Sequence, residues 1–264
     1  FMASHAIINP MKNLYIATIG EDFARWVKKT QSGLELDQFC MAENLDEPKY
    51  ESCCKEIRRL FTDCKISPEH AVLHAPCNEL HPAAIDPLAK DLARHRMEQA
   101  YTACKDLGIT KMVVHSGYVP HIYFKSWHQE QSVKFWTGFM ADKPADFQLC
   151  IENVLEDEPQ MMADMLKDID QPNIGICLDI GHANCMSDVP VSQWIQVLSP
   201  YIKHFHLHNN DGSCDWHAPF DEGSMDIHAL LQQAKELCNP DTTYTVEVIH
   251  CGKAMEWLEN QKNL

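Results

Sequence analysis

The chain has 264 residues, 45% hydrophobic and 23% charged, enough to bury a large core in one or two domains. Its formal net charge of −16 disfavours nonspecific attraction to a polyanion such as nucleic acid, although a local basic groove is compatible with that sum. Its 12 cysteines form no CxxC pair, and no secretory leader or long apolar run is visible, which points to a cytoplasmic protein with reduced thiols and no membrane partner.

Residues 1–10 read as a disordered leader or appended segment, and residues 11–264 as one domain. In chain order, Leu14–Ile19 reads as a strand, Glu21–Lys29 as a helix, Gly33–Phe39 as a strand and Tyr50–Phe61 as a helix. Ala71–Ala75 is a strand, and Pro87–Leu107 a long helix closed by Gly108. Strand Lys111–His115 precedes helix Trp127–Met140, and strand Phe147–Asn153 precedes helix Pro159–Leu166. Strands Ile174–Asp179, Ile202–His208 and Tyr244–Ile249 are followed by helices Val191–Leu198, Asp226–Leu237 and Ala254–Gln261. Eight strand–helix pairs at roughly 30-residue spacing predict a single (β/α)8 TIM barrel, an α/β fold. The near-continuous apolar strands suit a parallel sheet covered on both faces, with Cys150 and Cys177 as core thiols.

In such a barrel the chemistry sits at the C-terminal strand ends, and the ionisable residues collect there. His74, His115, Glu152 and Asp179 end successive strands, and His206 and Glu247 lie near the ends of the last two. His182 follows Asp179 by three residues; Asp179 to His182 alone would pass for an Asx turn. His206 and His208 alternate with Phe205 and Leu207, so both imidazoles share a face, and Asp215 and His217 follow in a loop. A lone strand-end histidine is ordinarily structural, but so many carboxylates converging on one volume would repel and desolvate one another. A divalent metal relieves that conflict, and two or three relieve it better.

The chain resembles the xylose-isomerase-like TIM barrels, which include sugar phosphate isomerases/epimerases and the type-IV AP endonucleases. The motifs are CIEN around Glu152, CLDIGHAN around Asp179 and His182, HLHNNDG from His206, DWH at Asp215–His217 and TVEV around Glu247. The resemblance spans Leu14 to Leu258. It implies a shared metal set of Glu152, Asp179, His206 and Glu247, with Glu152 and Glu247 exchanging a proton with substrate carbon. The endonuclease branch implies His74, His115, His182, Asp215 and His217 as further ligands, for up to three ions. Asp221 stands where the family loop usually has a glycine, adding negative charge where an anionic substrate group would be cradled.

The expected activity is therefore a metal-dependent (zinc or manganese) isomerase or epimerase of a small keto sugar, polyol or sugar phosphate. Alternatives are a multinuclear phosphodiesterase of the AP endonuclease type and a non-catalytic, metal-bearing carbohydrate-binding barrel. Tyr118, Lys125 and Trp127, in and after the aromatic loop that follows the fourth strand, and His208 are the expected substrate contacts, although a loop packed on its own aromatics is equally compatible with that composition.

Overall fold

The computed structural model describes residues 13–261; the segment read as a leader lies outside the described residues. The strands are β1 (Leu14–Ala17), β2 (Gly33–Leu36), β3 (Ala71–His74), β4 (Lys111–His115), β5 (Gln148–Glu152), β6 (Ile174–Asp179), β7 (Ile202–Leu207) and β8 (Thr243–Val246). They pair in sequence order, all parallel, and β8 closes on β1. The helices are α1 (Phe23–Thr30), α2 (Lys49–Cys64), α3 (Pro87–Leu107), α4 (Lys125–Met140), α5 (Gln160–Ile169), α6 (Ile180–Met186), α7 (Val191–Leu198), α8 (Ile227–Leu237) and α9 (Cys251–Gln261). No helix among the described residues is long and apolar enough to cross a membrane.

The local chemistry explains the element ends. Asp86 accepts the Leu88 N–H at 2.8 Å, Pro87 opens α3, and Gly108 closes it in the left-handed region at φ 76°. Asp226 caps α8 by accepting the Ala229 N–H at 3.0 Å. Two short 3-10 turns, Ala42–Leu45 and Pro68–His70, and helix α6 were not expected from the sequence. All three are too short for a hydrophobic period to register. Strands β1, β2 and β8 end two or three residues before the apolar runs do.

Register decides which side chains face inward. Tyr15 pairs with Gly33 and Thr245, Glu35 with Val72, Val113 with His74 and Cys150, Glu152 with His115 and Cys177, and Asp179 with His206. These positions share the interior. Between β6 and β7 the register slips: Ile176 pairs with Ile202 and Cys177 with His204, leaving Lys203 over. That bulge brings His204 and His206 level with Cys177 and Asp179.

The lower interior holds an apolar cluster of Tyr15, Val72, Val113, Cys150 and Cys177 beside the polar His204 and Thr243. Gly33 makes room there, since a Cβ would lie 2.4 Å from the Tyr15 ring. The main core lies between sheet and helices, where Phe205 stacks on Tyr244 at 5.2 Å and Trp136 and Trp194 are fully buried. The upper interior is polar.

Candidate metal centre

At the C-terminal end of the barrel six imidazoles surround four carboxylates. His206 Nδ1, from β7, lies 3.0 Å from Glu247 Oε2, 3.2 Å from Glu152 Oε1 and 3.7 Å from Asp179 Oδ2. One ring nitrogen carries at most one proton, so it cannot satisfy three carboxylates. Glu247 Oε2 is buried and, despite that proximity, makes no hydrogen bond. A divalent cation suits this donor set of one imidazole and three carboxylates.

The other expected residues assemble around the same point. His74 Nε2 is 3.2 Å and His115 Nε2 3.5 Å from Glu152 Oε2. His182 Nε2 and His217 Nε2 both face Asp215 Oδ2, at 3.3 and 3.0 Å. Glu152 thus faces two sets of donors, one through each oxygen.

The outer nitrogens of these rings are already committed. His74 Nδ1 donates to the Ala75 carbonyl at 2.9 Å, His182 Nδ1 to that of Asn153 at 2.9 Å, and His217 Nδ1 to that of Glu247 at 2.8 Å. His206 Nε2 lies 2.8 Å from Glu35 Oε1. His74, His206 and His217 therefore hold a proton outward and turn the second nitrogen toward the carboxylates, the arrangement that metal-ligating histidines require, while His182 Nδ1 also lies 3.3 Å from Glu152 Oε1. The residues present fit a bound metal.

Local structure holds these side chains in place. Asn153, one residue past β5, accepts the Asp179 N–H and donates to the Asp179 carbonyl, both at 2.9 Å, tying β5 to β6 above the last ladder bond. Asp179 caps α6 by accepting the His182 N–H at 2.7 Å, so the segment that alone would pass for an Asx turn is a helix N-cap. His217 takes a positive φ of 46° in a loop pinned by the paired hydrogen bonds of Asn209 and Ala218.

Burial by itself would raise the Glu152 and Asp179 carboxyls. The imidazoles of His206, His115 and His182 hold Glu152 well below the usual range, and those of His182, His208 and His206 do so for Asp179. Against the opposite effect of burial, Glu152 lifts His74 to about 10 and Asp215 lifts His217 to about 9. Burial pushes His115 down to about 4. Glu152, Asp179 and His206 are buried, while the side chains of His115, Asp215 and His217 are 20–27% exposed and open the cluster to solvent.

Of the expected substrate contacts, His208 lies within the cluster itself. His208 is fully buried, its Nε2 3.0 and 3.1 Å from the two Asp179 oxygens, and its ring stacks on His217 at 4.2 Å. Lys125 lies between Asp157 (2.6 Å) and Glu158 (3.3 Å), lining with Tyr118 a cleft of about 530 Å³. The Trp127 indole N–H donates to the Ala83 carbonyl at 2.9 Å, which pins α4 to the loop after β3. Two acids, one in β2 and one just after it, were missed. Glu35 lies beneath His206, and Asp37 accepts from Thr18 Oγ1 at 3.0 Å and has its carboxyl pushed up to about 7 by burial and by Glu247. Their signal was the alternation Gly33, Glu35, Asp37 against Leu34, Leu36.

The chain belongs to the xylose isomerase-like TIM barrel family, whose model matches residues 30–261. It is 29% identical over 176 residues, 63% of this chain, to the uncharacterized protein MJ1311 of Methanocaldococcus jannaschii. The match spans 60% of that relative's length. A D-tagatose 3-epimerase-like protein shares the fold at a TM-score of 0.75 and 22% identity, covering 95% of this chain and 97% of that one. The TTHB071 protein of Thermus thermophilus, from a crystal soaked with ZnCl2, does so at 0.72 and 21%, covering 94% and 97%.

Proposed function

We propose that the protein is a divalent-metal-dependent isomerase or epimerase of a small keto sugar, polyol or sugar phosphate, acting by proton transfer next to a carbonyl. The observation that carries this reading is the convergence of Glu152, Asp179 and Glu247 on His206 Nδ1. These four residues would hold the ion, zinc or manganese. When bound, it supplies Lewis-acid polarisation of the substrate carbonyl and hydroxyl, which acidifies the adjacent C–H.

The proton work falls to the two glutamates. Glu247 takes the proton from carbon, because its Oε2 has no hydrogen bond to give up. Glu152, three strands away around the barrel, returns a proton to the other face. Its proton is replaced from solvent, which reaches the cluster past the partly exposed His115, Asp215 and His217 side chains. The buried floor of the cluster keeps bulk water from the reacting carbon. The names of two structures of the same fold, one epimerase-like and one soaked with zinc, are in keeping with this assignment.

A panel of ketohexoses, ketopentoses and inososes in D₂O, followed by proton NMR, tests it. Washout of one carbon-bound proton is the expected result, because a carboxyl group equilibrates with solvent. A second reading, a three-ion phosphodiesterase, is favoured by the two further donor sets, His74/His115/Glu152 and His182/Asp215/His217. No washout on any sugar, together with metal-dependent cleavage of an abasic-site oligonucleotide, would replace the first reading with the second.

A further inference from the structure

His206 is held differently from three other histidines of the centre. His74, His182 and His217 are oriented by backbone carbonyls. His206 is oriented by a side chain, Glu35, that lies inside the barrel below it and is only 1% exposed. A carboxylate buried in a barrel interior is costly unless fully partnered, and Glu35 is. Its Oε1 accepts from His206 Nε2 at 2.8 Å, and its Oε2 lies 3.0 Å from His204 Nε2 and accepts from the Thr245 hydroxyl. Below these, His204 Nδ1 meets Thr243 Oγ1, which accepts in turn from Lys111 Nζ at 2.9 Å. The network spans β2, β7, β8 and β4 and is hydrogen-bonded to the centre at His206.

We propose that Glu35 is the positioning residue of the metal centre: its carboxylate holds the Nε2–H of His206 and so presents an unprotonated Nδ1 to the space shared with Glu152, Asp179 and Glu247. The inference rests on the metal-centre reading above. A carboxylate oxygen can only accept, so the nitrogen 2.8 Å from it must carry the proton. The imidazole is then neutral at Nδ1 when a cation is present, and the charge on Glu35 makes that nitrogen a stronger donor than one whose partner is a backbone carbonyl. His204 and Thr245 hold the second oxygen and keep the carboxylate from turning away. Glu35 touches no substrate; it acts through His206.

The test is zinc binding by the full chain, measured by competition with a chromophoric chelator, on wild type and Glu35→Gln. The variant keeps the size and one acceptor oxygen but not the charge. The expected result is zinc affinity about 10–100-fold weaker, the usual consequence of losing an outer partner of a ligating histidine, with an unchanged far-ultraviolet circular dichroism spectrum. A variant that binds zinc within about threefold of wild type overturns the inference alone. Wild type that binds no zinc overturns the metal-centre reading together with it. Nitrogen-15 NMR of histidine-labelled, zinc-loaded wild type keeps the inference testable if the variant does not fold. His206 protonated at Nε2 supports it, and His206 protonated at Nδ1 refutes it.

Discussion

Glu247 Oε2 is buried without a hydrogen bond at the point where three carboxylates meet an imidazole. An atom so placed is costly to the fold unless it has a use. In Glu247→Gln one oxygen remains, but the charge and the capacity to take a proton are lost. Solvent exchange of the substrate proton should slow by about 10²–10⁴-fold in metal-loaded protein. Exchange at the wild-type rate would remove Glu247 from the chemistry. At this scale the sequence was most legible where ionisable residues ended apolar strands, as Glu152, Asp179 and His115 do. It carried the alternation of Glu35 and Asp37 against Leu34 and Leu36 but not which face turns inward, because the parity of β2 is set by its pairing with β1 and β3. It also gave no sign that His208 would be enclosed by Asp179 and His217.

Two elements can be tested directly. Helix α6 starts against His208, and a Cβ on Gly181 would lie 1.9 Å from the His208 ring. The ring cannot swing aside while it holds Asp179 and stacks on His217. Gly181→Ala should therefore destabilise the protein by about 1–3 kcal/mol in urea unfolding, and a change within experimental error would contradict the close packing. Helix α4 carries His128, 1% exposed, with Nδ1 unpartnered. Burial, helped by His81, lowers this imidazole from 6.5 to about 4. The unfolded chain therefore takes up a proton that the folded chain refuses as pH falls from 6.5 toward 4. Stability from this group is complete above pH 6.5 and is lost across that window. Wild type should lose about 2 kcal/mol more than His128→Phe between pH 7 and pH 5. Parallel losses would show that His128 is not the sensitive group. Helix α6 itself escaped sequence reading because its seven residues carry no period and its Asp179 cap looks like an isolated turn.

Taken whole, the molecule concentrates carboxylates at one end of its barrel on a chain of net charge −16, so removal of bound cations should weaken it. A metal at about 100-fold its dissociation constant adds about 2.7 kcal/mol, which for a domain of this size corresponds to a Tm rise of about 5–10 °C. Thermal melts with zinc or manganese and after chelation should show that difference, and an unchanged Tm would count against a metal held by the folded state. Elemental analysis adds the stoichiometry: one tightly held ion per chain favours the isomerase reading, and three favour the phosphodiesterase. By itself the sequence determined the eight strand–helix pairs, because hydrophobic periodicity is local and covalent order sets the order of a parallel barrel. It also placed nine candidate ligands at the rim, since every parallel strand ends at the same face. Tertiary structure alone decided which atoms meet. His206 and Glu35 lie 171 residues apart, yet barrel closure and the bulge at Lys203 bring them to 2.8 Å. Such a contact depends on register, which is set jointly by all eight strands and is carried by no one segment of the chain.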